Sequence, residues 1–518
     1  MSSTTSSLKR IDKVSSDNLT IGFDLLSNLT YMAVLAIGYL PREQILERCA
    51  RQGLKTTVFF EYANLLARRL GFEYTQAFHM VSEHAKASNI KSLLLRFAAS
   101  ISSGESEREF IAQEATTEAE RYANEYERGI ENLRKWTDAY AAILISVTLI
   151  MVVSLVSTML GSLNQYFIVI MALVLLVVTS TGMFVIYKVA PVEKINFDSP
   201  IVIPARRKKA RMLALVLGPI GLVLGLVLGF QFGLLAGVSV AFLCVGAFLF
   251  PAGYHTWKDG SSVNQLDMDC PTFFRSLGNV AGSTGITLAE SLKRIDKKAM
   301  GSLEPHIDRL SVRLNANLPV DDCWDMFRAE AGSELINRTS VMMVDGAEMG
   351  GSADQVGAIC SSFALRVSQL RAKRQLTSST FSFLTIPMHA TMIFILVFVL
   401  GIITNFNSKL SLASTGLTVD SNAGIIVPDS LQLPPGLPLP AQGDLTAGLD
   451  IFGNQDIGLA TLMIVVVVGV LTVANALTPK IAAGGSNLNV LSFLSIMCLI
   501  SGGVLGIVPV VTSKIFAI

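Results

Sequence analysis

The sequence predicts an all-α, polytopic membrane protein with about seven transmembrane helices and two homologous helical-bundle domains in the cytoplasm. Of its 518 residues, 51% are hydrophobic and only 16% are charged, which is too apolar for a water-soluble chain. Several nearly uncharged stretches are long enough to cross a bilayer. Two long charged blocks, Phe59–Lys135 and Phe273–Arg374, have the apolar spacing of amphipathic helices.

The membrane helices are predicted from length and hydropathy. A hydrocarbon core of about 30 Å requires about 20 apolar residues in a helix. Ile21–Leu40 is also apolar, but Asp24 and other polar residues interrupt it, so the sequence favours an amphipathic or interfacial helix there. The stretches that qualify as spans are Ala141–Leu160, Phe167–Tyr187, Met212–Gly229, Leu234–Phe250, Phe383–Ile403, Ile457–Leu477 and Val490–Val510.

These elements divide the chain into consecutive regions. The Pro-rich region is expected to be a flexible loop because Pro, Ser, Gly and Thr dominate it. The regions are an N-terminal cytoplasmic or interfacial segment (1–58), the first cytoplasmic helical domain (59–140), a four-span membrane block (141–250), the second cytoplasmic helical domain (251–382), the fifth span (383–403), an external Pro-rich loop (404–456) and the last two spans (457–518).

The distribution of Lys and Arg predicts which side of the membrane each region faces. The loop between the second and third spans is strongly basic from Lys188 to Arg211, whereas Asn405–Asp456 has Lys409 as its single basic residue. Basic loops remain in the cytoplasm. We therefore expect a multi-pass protein of the cytoplasmic membrane with both charged blocks in the cytoplasm and the Pro-rich loop outside.

The two charged blocks have the pattern of an internal repeat. Aligning Phe59-Phe60 with Phe273-Phe274 places Gly71 on Gly285, and the register continues through two helical hairpins. A repeat of this length indicates a duplicated folding unit. Chance similarity between amphipathic helices is the alternative.

Each block ends in a long charged helix that leads into a span. Ser106–Lys135 carries Arg121 and Arg128, and Gln355–Leu376 has a basic end. Cations at such a helix end either contact anionic lipid head groups or bind a cytoplasmic partner. The basic residues near the end of the second helix are Arg366, Arg371, Lys373 and Arg374.

Glycines mark two further features. The segment Val344–Asp354 is glycine-rich, which is typical of a tight corner between helices, and Glu348 within it is placed to cap a helix N-terminus. Gly221, Gly225 and Gly229 recur at every fourth residue of the third span. Small residues at this interval let membrane helices pack closely, either within one chain or across a dimer.

Several functional classes lack their signature residues. The chain has no H-E-x-x-H, no G-x-S-x-G and no C-x-x-C, so we expect no catalytic residues, no metal site and no cofactor. The net charge of +1 gives no reason to expect a nucleic-acid partner. A membrane transporter or channel is the alternative function, although His389 is the single ionisable residue within the predicted spans.

Two helical domains that each lead into membrane helices resemble the inner-membrane platform proteins of type II secretion and type IV pili. Asp345–Gly351 is similar to the G-E-x-G turn of that family, with Ala347 where the family usually has Gly. Gly285, Leu288 and Ser291 are similar to its Gly-x-x-Leu-x-x-[AS] helix start. The number of spans and the long external loop resemble the archaeal branch, which serves the archaellum and adhesion pili.

The resemblance implies a scaffold that performs no bond chemistry. A hexameric secretion ATPase would act on the cytoplasmic domains, and the membrane helices would insert pilin or archaellin subunits into a filament. The resemblance also implies a homodimer surrounded by membrane lipids. The residues that it suggests as ATPase contacts are Arg121, Arg128, Glu348, Gly350, Gly351, Arg366, Arg371, Lys373 and Arg374.

Overall fold

The computed structural model describes residues 19–159, 166–416 and 457–515. Apart from one isolated bridge between Asn196 and Ser333, the regular structure of these residues is helical. The α-helices are α1 (Leu19–Ile37), α2 (Arg42–Arg51), α3 (Thr57–Leu70), α4 (Tyr74–His84), α5 (Ser88–Ser103), α6 (Glu107–Met159), α7 (Tyr166–Val189), α8 (Ala205–Gly229), α9 (Leu234–Thr284), α10 (Leu288–Arg294), α11 (Glu304–Asn315), α12 (Val320–Ala331), α13 (Glu334–Glu348), α14 (Ala353–Gly416), α15 (Ile457–Ala483) and α16 (Val490–Ile515).

The all-α, polytopic membrane architecture is confirmed. The seven predicted spans fall in α6, α7, α8, α9, α14, α15 and α16, each of which is long and apolar enough to cross a membrane.

Three of these helices continue far into the soluble region: α6 has 53 residues, α9 has 51 and α14 has 64. At 1.5 Å per residue they are about 75 to 95 Å long. The predicted boundaries at 140, 250 and 382 therefore lie inside continuous helices, so no linker separates the soluble from the membrane region.

Helix α1 differs from the interfacial helix that the sequence favoured. Every residue from Ile21 to Ile37 is buried, and α1 packs between α6, α13 and α14 in the soluble core. The polar residues that interrupt its apolar pattern have internal partners. Asp24 pairs with Arg338, and the Asn28 amide donates to the Thr56 hydroxyl. Leu19–Ile37 is also long and apolar enough to be an eighth candidate membrane helix, but its burial against α6, α13 and α14 makes it the central helix of the soluble region.

The two charged blocks form helical units around α1. We call α3 to the soluble part of α6 the first unit, and the soluble part of α9 to that of α14 the second unit. Phe59, Phe60, Phe273 and Phe274 are all buried in one continuous core. Gly71 and Gly285 each end a helix with positive φ, of +73° and +63°. The second unit has an additional hairpin, α12–α13, before its long helix.

The glycines of α8 face its neighbour α9 in the same chain. A Cβ atom on Gly221 would lie 2.7 Å from the Phe248 Cβ atom, and one on Gly225 would lie 3.0 Å from the Ala241 Cα atom. At Gly229 an added Cβ atom would lie 2.6 Å from the Gly237 carbonyl oxygen. Helices this close leave no room for a side chain, so the stripe packs within one chain.

Helix α14 extends past the end of the fifth span. It continues through residues 404–416, where a loop was predicted. The Thr404 hydroxyl and the Asn405 amide both donate to the Gly401 carbonyl group, so these polar residues find partners on the helix itself. The prolines of the predicted external loop lie outside the described residues.

Candidate functional site

A buried ion cluster joins the soluble ends of the membrane helices. The Arg371 guanidinium on α14 lies 2.6 Å from a Glu193 carboxylate oxygen and 2.6 Å from an Asp267 oxygen on α9. The Tyr126 hydroxyl on α6 donates to the second oxygen of Glu193 at 3.0 Å. Burial lowers the pKa of Arg371, but its two carboxylate partners more than compensate and hold it above its ordinary value. Burial raises the pKa of Asp267, and the Arg371 guanidinium opposes that rise.

A second cluster surrounds Arg338 on α13. Its guanidinium lies 2.6 Å from Asp24, 2.9 Å from Glu334 and 2.8 Å from the Ser27 hydroxyl. It also lies over the Phe23 ring, with 4.1 Å between the guanidinium carbon and the ring centroid. Because Arg371 lies 5.8 Å from the same ring, α1 connects the two clusters.

The segment that joins α7 to α8 is attached to the second unit. Phe197 donates its backbone N–H to Gly332 at 2.9 Å, and Glu334 donates to Ile195 at 2.9 Å. Arg207 is 1% exposed and holds Asp259 at 3.0 Å and Asp198 at 2.8 Å. The soluble units are thus fixed to the membrane helices by backbone bonds as well as by ion pairs.

Two of the expected ATPase contacts are internal residues. Arg371 is 6% exposed and is enclosed by the carboxylates described above. Arg374 is 3% exposed, and its guanidinium donates to the carbonyl groups of Ala482 at 3.0 Å and Ile481 at 3.4 Å. A guanidinium in that position stabilises the junction between α14 and α15, so we leave both arginines out of any partner surface.

The other basic candidates lie on the two long helices α6 and α14. Arg366 is half-buried, and Lys373 is exposed and pairs with Glu127 across a groove of about 360 Å³. Arg128 is exposed on α6. Arg121 is half-buried between Glu118 at 3.3 Å and Glu125 at 3.1 Å. Of these four side chains, Arg366 and Lys373 line the groove between the two long helices.

The glycine-rich segment is a tight corner between α13 and α14. Gly350 has φ of +79°, and Gly351 donates to the Gly346 carbonyl group at 3.0 Å. A Cβ atom on Gly351 would lie 2.6 Å from that carbonyl oxygen, so only glycine fits there. Glu348 is the last residue of α13 and not an N-terminal cap as the sequence suggested. Burial and its neighbours Asp321 and Asp345 raise the pKa of Glu348.

Both units meet at the ends of α6, α9 and α14 that are opposite to their apolar spans, a region that we call the distal tip. The first residues of α6 and α14 and the last of α9 lie there, since the opposite ends of these helices enter the membrane. The Arg108 guanidinium donates to the Tyr39 hydroxyl at 2.9 Å and to the Gln355 amide oxygen at 2.9 Å. Tyr39 is 82% exposed and has φ of +54°, which is uncommon for a non-glycine residue.

The sequence did not predict the distal tip. Tyr39 follows α1, which was assigned to the membrane interface, and Arg108 was one of many charges on a long helix. The available signal was Gly38, which directly follows the last residue of α1. A glycine at this position allows the chain to pass close to the next element. An added Cβ atom on Gly38 would lie 3.2 Å from the Met349 carbonyl carbon, at the start of the corner.

Inside the membrane region, neutral polar side chains surround His389. Its Nε2 atom lies 2.9 Å from the Ser501 hydroxyl, and its Nδ1 atom lies 3.0 Å from the Asn475 amide nitrogen. Thr472 lies 2.7 Å from Ser501, and the Tyr140 hydroxyl donates to the Asn475 oxygen at 3.3 Å. Four helices, α6, α14, α15 and α16, contribute to this network.

One family model matches the second unit and the span that follows it, and two archaeal relatives match longer parts of the chain. The family model described as type II secretion system (T2SS), protein F, matches residues 273–403. The chain is 22% identical over 366 residues to the flagella accessory protein J of Methanococcus voltae, a match covering 67% of this chain and 64% of the relative. It is 23% identical over 317 residues to the protein of the same name from Methanocaldococcus jannaschii, covering 60% and 56%. The matches thus span about three-fifths of the length of these relatives. No solved structure matches.

Proposed function

We propose that this chain is a filament-assembly platform, because residues 273–403 match the type II secretion system protein F model and the chain is 22% and 23% identical to two archaeal flagella accessory proteins J. In this proposal, a hexameric secretion ATPase in the cytoplasm drives the soluble units. The membrane helices then insert pilin or archaellin subunits into a type IV pilus-like filament. Both soluble units face the cytoplasm, as the basic loop after α7 favours.

The observation that carries the proposal is the continuity of α6, α9 and α14 from the distal tip into the membrane. A displacement at one end of a packed helix reaches the other end, because tightly packed elements move as rigid bodies. The Arg371 and Arg338 clusters join these helices to α1 and to the segment after α7. A force on the tip would therefore be distributed over several membrane helices.

We place the ATPase contact at the distal tip and extend it along the groove between α6 and α14, whose nearest α6 residue, Glu120, is about 18 Å along the helix from Arg108. Tyr39 is exposed there and Arg108 is half-buried, and Tyr and Arg are enriched among the residues that dominate binding energy in interfaces. Glu348, Gly350 and Gly351 form the adjacent corner. The groove between α6 and α14 adds the charged side chains Arg366 and Lys373, and the proposal also includes Arg121 and Arg128 on α6.

The remaining partners follow from the same family relationship. Two copies of the chain form the platform, and the filament subunits contact the membrane helices, many of which have exposed apolar side chains. Membrane lipids cover the rest of this apolar surface. The platform itself needs no catalytic residue, because the ATPase supplies the chemical energy.

Charge reversal at the distal tip tests the proposed coupling. Cells that lack the gene should receive the wild-type chain, Arg108→Glu, or the control Lys298→Glu, which reverses an exposed cation away from the tip. We expect all three proteins in the membrane, but surface filaments and ATPase co-purification only with the wild type and the control. Normal filaments and co-purification with Arg108→Glu would refute the tip as the contact. If the gene deletion itself left every filament in place, the platform function would be refuted.

A further inference from the structure

A cavity of about 870 Å³ lies where the second unit meets the membrane surface. One wall is the segment 202–206, just before the apolar part of α8 that begins at Met212. The second wall is α9 from Tyr254 onward, about one turn beyond the end of its predicted span at Phe250. The third wall is α11, with His306 and Arg309. The cavity thus lies at the depth of the lipid head groups.

The walls of this cavity carry an excess of positive charge. Arg309 is neutralised by Glu330 at 2.6 Å, and Asp259 by Arg207 at 3.0 Å. Burial and the adjacent Arg309 lower the pKa of His306 to about 4, so its imidazole is neutral near pH 7. Two cations then remain, Arg206 and Lys258, and within the described residues neither forms an ion pair.

Exposed aromatic and aliphatic groups border the same two cations. Trp257 is 61% exposed and Tyr254 is 47% exposed, and their ring centroids are 6.3 Å apart. The Lys258 ammonium lies 5.9 Å from the centroid of the Tyr254 ring. Ile203, which lines the cavity, is 39% exposed. Trp and Tyr are enriched at the level of the head groups, where one part of the ring is apolar and the other is hydrated.

We propose that this cavity binds the anionic phosphate head group of a membrane lipid. Arg206 and Lys258 hold the phosphate oxygens by charge-assisted hydrogen bonds. Trp257 and Ile203 lie along the first carbons of the lipid chains. A soluble phosphate would satisfy the cations but leave these apolar groups in water, so the combination favours a lipid over a free anion.

The bound lipid would attach the second unit to the bilayer. Its head group would contact α8 and α9 through the two cations and would lie against α11, which has no apolar span of its own. This site is separate from the distal tip and does not depend on the proposed ATPase contact.

Native mass spectrometry of the detergent-purified full chain tests this site. Phosphatidylglycerol and phosphatidylcholine should be titrated into the wild type, Arg206→Gln/Lys258→Gln and the control Lys208→Gln/Lys209→Gln. The control removes two exposed cations from the same segment that do not line the cavity. We expect one phosphatidylglycerol to bind the wild type and the control, and to bind the cavity variant at least about tenfold more weakly.

Three outcomes would overturn the proposal. Equal losses in the two double variants would show general attraction to a basic surface. Equal binding of phosphatidylcholine and phosphatidylglycerol would exclude selection by an anionic head group. Displacement of the lipid by millimolar inorganic phosphate would assign the cations to a soluble anion. Near-equal melting temperatures of the variants would show that all of them are folded.

Discussion

The soluble and membrane regions both contain a buried polar network, but the two networks consist of different groups. In the soluble region, Arg371 and Arg338 pair with carboxylates at distances of 2.6 to 2.9 Å. In the membrane region, His389 is surrounded by hydroxyl and amide groups. Both networks join helices that are distant in the sequence.

The difference follows from the cost of removing charge from water. Burying an ion pair at the base of a soluble bundle costs desolvation free energy, but several hydrogen bonds to the pair offset that cost. A charge at bilayer depth has no nearby water, so neutral hydrogen bonds are the less costly connection. We infer that ion pairs determine how the soluble units attach, whereas close packing and neutral bonds determine how the spans assemble.

The largest effect is expected for Arg371→Ala. It leaves Glu193 and Asp267 buried without their cation, and breaking a buried pair from one side costs about 3–5 kcal/mol. The apparent melting temperature in detergent should fall by many degrees. The control is Lys373→Ala, which removes an exposed pair with Glu127 and should cost at most about 1 kcal/mol. Equal losses would mean that the Arg371 cluster does not stabilise the junction.

Close packing in the membrane is tested by Gly225→Val. Its Cβ atom would meet the Ala241 backbone at 3.0 Å, so α8 and α9 must separate, at a cost of about 1–3 kcal/mol. Gly469→Val on α15 is the matched control, because an added Cβ atom there meets nothing within 4 Å. Thermal unfolding in detergent should separate the two variants. An unchanged midpoint for Gly225→Val would contradict the close approach of α8 and α9.

The neutral network should tolerate His389→Leu better than the soluble cluster tolerates Arg371→Ala. Loss of hydrogen bonds to Ser501 and Asn475 should cost about 1 kcal/mol, as is usual for polar contacts between membrane helices. Thr391→Val, at an exposed position on the same helix, serves as the control. A loss as large as that of Arg371→Ala would show that the membrane network carries as much of the stability as the ion pairs.

The smallest effect concerns pH. Burial raises the pKa of Glu118 on α6 to about 7, although Arg121 opposes the rise. The folded protein then holds a proton that the unfolded chain has released, so stability falls as pH increases from about 4.5 to 7. Glu118→Gln should flatten this dependence and stabilise the protein at pH 8 by on the order of 1 kcal/mol. The exposed Glu120→Gln variant should keep the wild-type profile, and an unchanged profile for Glu118→Gln would refute the assignment.

The membrane architecture could be predicted from the sequence because span length and hydropathy are local properties. The position of helix α1 could not be predicted in this way. Asp24 and Asn28 are polar groups that usually lie in water, and the sequence does not show that Arg338 and Thr56 are their buried partners. The same limit applies to Arg371 and Arg374. A basic helix end has the same sequence pattern whether its guanidinium groups face lipid, a partner or, as here, buried carboxylates and carbonyl groups.

The candidate site was predicted only in part, because it depends on contacts between distant segments. The corner at Gly350–Gly351 follows from glycine spacing. The distal tip required Tyr39, Arg108 and Gln355 to meet, and nothing in the order of the chain brings these residues together. The glycine stripe at Gly225 was recognised from its spacing, but the sequence does not identify the helix that the stripe faces.

Site-specific photo-crosslinking tests the central claim most directly. A benzophenone amino acid should replace Tyr39 at the distal tip, or Trp136, which is 45% exposed farther along α6 toward the membrane. After irradiation of intact cells, we expect a crosslink between position 39 and the secretion ATPase and none from position 136. A crosslink to the ATPase from position 136, with none from position 39, would contradict the proposal that the ATPase acts on the distal tip.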